Sequence, residues 1–74
     1  MLETTVYEEY PEAGVRIIFR ESYVACNLVV QQLKDGEWID CRSYNEMSDN
    51  YAYTNARHSA LVVCRRVKAG VYDG

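Results

Sequence analysis

The sequence is poor in proline and glycine, with one and four among 74 residues, and it contains no repeat and no low-complexity segment. Disordered chains are typically rich in such residues, so their scarcity, together with 49% hydrophobic residues, favours a folded domain. The length is sufficient for one domain and too short for two. We expect a single domain over residues 1–74, with the thin core that a chain of this size can bury.

Long apolar segments are also missing. No apolar run approaches the roughly 20 residues of a membrane-spanning helix. Residues 1–5 have neither the basic region nor the apolar stretch of a signal peptide. The three cysteines, Cys26, Cys41 and Cys64, are odd in number and widely spaced, which favours reduced thiols over a disulfide framework. These features predict a cytoplasmic protein that does not contact a membrane.

Basic residues are scarce in the first two thirds of the chain. Residues 1–49 contain ten acids and four bases, whereas residues 50–74 contain four bases and one acid, which gives the net charge of −3. Nucleic-acid binding needs a basic surface that neutralises phosphates, so this balance disfavours a general nucleic-acid-binding role.

An Asp-Gly pair, Asp35-Gly36, separates two segments rich in β-branched and aromatic residues. Both central positions of a type I′ turn need a positive φ, which this pair tolerates, so it predicts a two-residue β-hairpin loop in which Leu33 faces Trp38. The two-residue period of a strand then sorts the side chains onto two faces. The predicted core face contains Val24, Cys26, Leu28, Val30, Ile39 and Cys41, with Val30 opposite Cys41. The predicted outer face contains Ala25, Asn27, Val29, Gln31, Leu33, Trp38, Asp40, Arg42 and Tyr44.

Two earlier strands extend the predicted sheet. Alternating apolar residues indicate one strand at 15–20, and threonine, valine and tyrosine indicate another at 4–10. A tight turn at Glu21-Ser22 would make Phe19 face Val24 and keep the apolar side of this strand on the core face. Glu-Ser is a poor turn pair, so a longer loop is the alternative.

Beyond residue 48 the apolar residues recur at helical spacing. Ser48 is a suitable N-cap, and Gly70 is suited to the left-handed position after a helix. The apolar stripe contains Ala52, Tyr53, Ala56, Ala60, Val63, Cys64 and Val67. The predicted fold is therefore α+β, a three- or four-stranded antiparallel β-meander with one C-terminal helix packed on one face. The predicted elements are strands at about 4–10, 15–20, 23–33 and 37–44 and a helix at about 49–69.

The outer sheet face is the first candidate binding surface. Tryptophan and tyrosine are frequent in interface hot spots, and a sheet with one helix leaves one face without cover. We predict partner contact through Trp38, Tyr44, Asp40, Val29 and Leu33. The alternative is that Trp38 only packs on Leu33 across the hairpin.

The acidic N-terminal strand is the second candidate, through Glu8, Glu9 and Tyr10. Carboxylates spaced along a strand can imitate the phosphates of a nucleic acid and occupy a groove on another protein. The alternative is an edge strand whose charges prevent aggregation.

Catalytic and metal sites are not indicated. The cysteines form no C-x-x-C pair, and His58 has no orienting acid on its predicted helix face. Arg57 and Arg65 can form a basic strip on that helix, or they can simply solubilise it and suit its dipole. We expect no enzyme activity, no cofactor and no metal.

These exclusions favour a small acidic protein-binding module. Its predicted partner is a larger protein or protein complex, which it would occlude in the manner of a phage-type inhibitor, either anti-CRISPR-like or nucleic-acid-mimicking. One alternative is a nucleic-acid-binding accessory domain that uses Arg16, Arg20 and Arg42 of the sheet, or the helix arginines. A meander followed by a helix resembles DNA-binding modules of the AP2-like and integrase-arm types, although Asp40 interrupts a basic sheet here. A second alternative is a self-associating structural domain, a homodimer formed through two outer faces.

Overall fold

Four antiparallel strands and one helix form the fold. The computed structural model describes residues 3–21, 23–48 and 50–70. The elements are β1 (Glu3–Tyr10), β2 (Val15–Glu21), β3 (Cys26–Lys34), β4 (Glu37–Asn45) and α1 (Ala52–Lys68). The strand order in the sheet is β1-β2-β3-β4, and α1 packs against one face of it. The predicted ββββα arrangement is therefore confirmed.

The predicted hairpin turn between β3 and β4 is present. Asp35 and Gly36 have φ values of 53° and 82°, so both central residues adopt the positive φ of a type I′ turn. Leu33 pairs with Trp38, as the two-residue loop requires. At the same end of the sheet, Gly14 closes the β1–β2 turn with φ 66°, and its carbonyl accepts a hydrogen bond of 2.7 Å from the Leu33 N–H.

The connection between β2 and β3 is longer than a tight turn at residues 21 and 22. Glu21 pairs with Cys26, so Phe19 faces Leu28, and the predicted pairing of Phe19 with Val24 is wrong. Val24 lies in the connecting loop and is exposed, and not in the core. Glu-Ser cannot readily supply the positive φ of a two-residue hairpin, so the chain uses a longer loop.

A β-bulge at Cys41 interrupts the pairing of β3 and β4. Gln31 pairs with Asp40 but Val30 pairs with Arg42, so the predicted pairing of Val30 with Cys41 is wrong. One extra residue reverses the facing of every later side chain in the strand. Cys41 is consequently exposed rather than in the core.

The core lies between the sheet and α1. Four helix residues at a spacing of four are buried, and alanine at three of these positions lets the helix lie close to the sheet. The buried cluster contains Ala13, Val15, Ile17, Leu28, Val30, Ala52, Ala56, Ala60 and Cys64. Burial of one large aliphatic side chain stabilises the fold by roughly 1.5 to 3 kcal/mol.

The helix begins three residues later than predicted, at Ala52. The carboxamide oxygen of Asn45 accepts a hydrogen bond of 2.8 Å from the Met47 N–H, and this local turn diverts the chain before Ser48 can cap the helix. Asp49, predicted in the first helical turn, lies outside the described residues. At the other end Gly70 has φ 76° and its N–H donates to the Val67 carbonyl at 3.0 Å, which confirms the predicted helix stop.

Candidate protein-binding surfaces

A chain of hydrogen bonds crosses the outer face of the sheet from β2 to β4. Arg16 Nε donates to Gln31 Oε1 at 2.8 Å, and Gln31 Nε2 donates to Asp40 Oδ1 at 2.7 Å. Arg20 Nη1 donates to the other carboxylate oxygen of Asp40 at 3.1 Å. Arg16, Gln31 and Asp40 are direct cross-strand neighbours, which explains why their side chains meet. We call Arg16, Arg20, Gln31 and Asp40 the outer-face network.

Trp38 lies on the outer face, as predicted, but it contacts this network. The guanidinium carbon of Arg16 lies 4.0 Å from the centroid of the indole ring, a cation–π contact. The hydrogen bonds from Gln31 and Arg20 hold the pKa of Asp40 below its usual range. Predicted partner-binding residues Trp38 and Asp40 therefore already have intramolecular contacts.

The outer-face network covers an apolar layer. Ile18 and Val29 lie on the face opposite the helix, yet they are only 0% and 2% exposed. Val29, predicted to contact a partner, is thus not accessible, whereas Leu33 remains exposed beside Trp38. Arg20 Nε is buried and has no hydrogen-bond partner among the described residues.

Tyr44 does not belong to the outer face, which corrects the prediction. The bulge at Cys41 turns Tyr44 and Arg42 towards the helix, where the Tyr44 hydroxyl is hydrogen-bonded to the Ser59 hydroxyl. Tyr44 is half-buried against the core cluster. Its function in the structure is to join β4 to α1.

The acidic strand β1 is also joined to the helix. Glu8 accepts a hydrogen bond of 2.6 Å from the Tyr10 hydroxyl and another from the Tyr53 hydroxyl. The Tyr7 ring packs edge-on against the Tyr53 ring, with centroids 5.5 Å apart. These hydroxyls lower the pKa of Glu8, with a smaller contribution from Arg57. Burial, followed by the bond to Glu8, raises the pKa of Tyr10 to about 12.

The predicted acidic residues of β1 do not lie in one row. Glu8 and Tyr10 face the helix side, while Glu9 pairs with Arg16 and lies on the outer side. A phosphate-like line of carboxylates along one face would need Glu8 and Glu9 to point the same way. The structure instead places the two carboxylates on opposite faces.

A groove lies between the hairpin half of β4 and the C-terminal half of α1. It encloses about 500 Å³, and it brings together His58 and Arg66 of the helix with Lys34 and Arg42 of the sheet. Of the predicted basic strip, Arg65 lies outside this groove and Arg57 lies near Glu8. Burial raises the pKa of the Cys41 thiol, which also lines the groove, so the thiol is not activated for nucleophilic chemistry.

Four exposed apolar side chains lie in the two connections at the opposite end of the sheet. Tyr23 and Val24 of the β2–β3 loop are 92% and 86% exposed, and Met47 and Tyr51 of the β4–α1 connection are 74% and 70% exposed. We call these four residues the apolar tip. The two loops adjoin because the Glu46 N–H donates to the Cys26 carbonyl at 2.8 Å.

Sequence reasoning missed the apolar tip because it placed residues 23 and 24 in a strand. The signal that could have revealed it is the unfavourable Glu-Ser pair at residues 21 and 22, which indicates a longer loop. Tyr23 and Val24 lie in this loop and do not reach the core. The tip is also flanked by two exposed carboxylates, those of Glu21 and Glu46.

Comparisons with protein-family models, with curated proteins and with solved structures found no match to this chain. Within residues 3–21, 23–48 and 50–70, no three histidine, cysteine or acidic side chains are grouped so that they could hold a metal ion. Among the described residues, no helix is long and apolar enough to cross a membrane.

Proposed function

We propose that this protein is a small protein-binding module that docks on a larger protein through the apolar tip. The exposure of four large apolar side chains at one end of the sheet is the observation that carries this proposal. Contiguous exposed apolar groups often mark protein contact sites. Burial of each such side chain by a partner contributes roughly 1.5 to 3 kcal/mol before the costs of association.

The charge around the tip suggests the chemistry of the partner surface. Glu21 and Glu46 flank the apolar side chains, and the whole chain has a net charge of −3. An apolar pocket with a basic rim would complement this end of the molecule and would attract it during encounter. A module of this size acts by covering the surface on which it sits. Occlusion is therefore the proposed mechanism, as in the phage-type, anti-CRISPR-like inhibitor expected from the sequence.

The alternative functions have less support in the structure. Arg16 and Arg20 are engaged with Gln31 and Asp40, so they do not form an open basic surface for nucleic acid. The outer-face network covers the apolar layer that two copies would need for face-to-face association. Both observations favour the apolar tip over the outer face as the contact surface.

Affinity capture from the cells that contain this protein tests the proposal with matched variants. The tip variant combines Val24→Asp with Met47→Asp, and the control combines Thr54→Asp with Leu61→Asp, which adds the same charge at exposed positions of α1. The wild type and the control should retain the same larger protein, the tip variant should lose it, and the complex should form again from purified components. Retention by the tip variant, or no retained protein at all, would contradict the proposal. Self-association of the pure wild type that the tip variant abolishes would identify a homodimer instead.

A further inference from the structure

The groove between β4 and α1 is a second surface with its own chemistry. The groove lies on the side of the sheet that α1 covers, and its floor is aliphatic. Ile39 of β4 is 44% exposed there, which leaves a large apolar side chain in contact with water. The floor is completed by Val62, Val63 and Val67 of the helix. A groove of about 500 Å³ is large enough for one or two apolar side chains of a ligand.

The rim of the groove is basic, in contrast to the chain as a whole. Lys34, Arg42 and Arg66 line it, and Arg42 is there because the bulge at Cys41 turns it towards the helix. Asp40 also lines the groove, but its carboxylate is hydrogen-bonded within the outer-face network. Three basic residues and one acidic residue thus line the groove, on a protein with a net charge of −3.

We propose that this groove binds a short acidic segment of another protein. An apolar side chain of that segment packs on Ile39 and the helix valines, and the neighbouring carboxylates pair with Arg42 and Lys34. A guanidinium can donate two parallel hydrogen bonds to one carboxylate, so Arg42 is the main anion-binding residue.

A protein segment fits the groove better than a nucleic acid does. Proteins that bind single strands stack bases mainly on large aromatic rings, and the described residues that line this groove include no phenylalanine, tyrosine or tryptophan. The net charge of −3 also repels a polyanion beyond the immediate site. The groove lies at the hairpin end of β4 and the apolar tip at the other end of the strand, so this proposal stands independently of the proposed function.

Fluorescence anisotropy with a labelled peptide, DELDELD, tests the proposal. The neutral peptide NQLNQLN and a short oligothymidine serve as comparison probes. The variants are Arg42→Glu, Ile39→Ser and the control Arg65→Glu, which reverses the same charge on the helix outside the groove. Circular dichroism verifies that each variant is folded, and Arg42→Gln replaces Arg42→Glu if the charge reversal disrupts the sheet.

We expect saturable binding of DELDELD that Arg42→Glu weakens by about tenfold, because a paired cation becomes a repelling anion. Ile39→Ser should weaken binding about threefold through loss of apolar contact, and Arg65→Glu should leave it nearly unchanged. Amide resonances of residues 39–42 and 58–67 should shift on titration. Absence of saturable binding, or an equal effect of Arg65→Glu, would overturn the proposal. Tighter binding of oligothymidine would assign the groove to nucleic acid, and self-association lost in Arg42→Glu would assign it to a second copy.

Discussion

Tyr44 lies opposite Leu28 in the sheet, and its hydroxyl is hydrogen-bonded to Ser59 of α1. This relationship exists because the bulge at Cys41 shifts the later part of β4 by one residue. Strict alternation would have placed Tyr44 on the outer face, away from the helix. Because of this one extra residue, Tyr44 links β4 to α1 and is not on the predicted contact surface. The same residue places Arg42 at the groove.

Tyr44→Phe tests this link, since it removes only the hydroxyl. We expect a loss of about 1 kcal/mol in the free energy of unfolding, the usual net value of a partly buried hydrogen bond. Ser59→Ala should cost a similar amount, and the double variant should cost less than the sum, because both changes remove the same bond. Urea unfolding of the four proteins provides the double-mutant cycle. Additive effects would show that the two hydroxyls do not interact.

The two wrong register predictions differ in their effect on which face a side chain occupies. A shift by an even number of residues preserves the face, whereas a shift by an odd number reverses it. The pairing of β2 with β3 differs from the prediction by four residues, because the loop is longer, and an even shift leaves Ile17 and Phe19 on the core face. The bulge in β4 shifts the pairing by one residue and reverses the face of Tyr44. Hydrophobic alternation predicts the face of a side chain correctly when a loop shifts the strand pairing by an even number of residues. A bulge cannot be predicted in this way, because it depends on the fit of the strand against its neighbours.

Element types and the helix stripe could be predicted because periodicity and turn residues encode them locally. Only part of the outer-face network could be predicted from the sequence. Gln31 and Asp40 were predicted on one face, but their bonds to Arg16 and Arg20 depend on the register of β2. The apolar tip could not be predicted from alternation, because Val24 continues the apolar pattern of β3 although it lies in a loop.

Gln31 is central to the outer-face network, with 5% of its surface exposed. Gln31→Ala should lower the free energy of unfolding by about 1 to 3 kcal/mol, because it removes the two hydrogen bonds that join Gln31 to Arg16 and Asp40, although Asp40 keeps its bond to Arg20. The matched control is Gln32→Ala, the adjacent glutamine on the groove side, for which we expect a loss below about 0.5 kcal/mol. Equal losses in thermal or urea unfolding would mean that the network does not stabilise the outer face.

Cys41 and Cys64 should differ in accessibility to a thiol reagent. Cys41 is exposed as a residue and Cys64 is buried in the core, while partial desolvation of each sulfur raises the pKa of both thiols. Access should therefore decide the order, and we expect Ellman's reagent to modify Cys41 at least about tenfold faster than Cys64 in the native protein. The single variants Cys41→Ser and Cys64→Ser assign the phases. Protection of Cys41 would indicate the regular pairing, in which this residue lies under the helix.

Tyr10 should resist ionisation at alkaline pH. Burial, followed by its bond to Glu8, raises the pKa of Tyr10 from 10 to about 12. A raised folded-state pKa stabilises the fold below pH 10, and this stabilisation is lost as the pH rises towards 12. Tyr10→Phe should therefore make the free energy of unfolding less dependent on pH in this range. An unchanged alkaline slope in urea unfolding would contradict the buried position of this hydroxyl.

Glu8 should contribute to loss of stability in acid. The hydroxyls of Tyr10 and Tyr53 lower its pKa from 4.5, so its stabilising contribution is present above pH 4.5 and is lost as the pH falls through the lower folded-state pKa. Glu8→Gln should cost about 1 to 2 kcal/mol at neutral pH, because hydrogen bonds to a charged carboxylate are replaced by weaker ones. Its stability should also fall less steeply below pH 4.5 than that of the wild type, with the remaining slope reflecting Asp40, whose pKa is lowered too.

Glu9→Gln is the control for this prediction. It removes the same charge from the opposite face of β1, away from both hydroxyls, and so separates the effect of the hydrogen bonds from the effect of the change in net charge. If urea unfolding shows the wild-type slope for Glu8→Gln, then the two tyrosines do not hold Glu8 in its ionised form, and the link between β1 and α1 must come from the packing of Tyr7 on Tyr53.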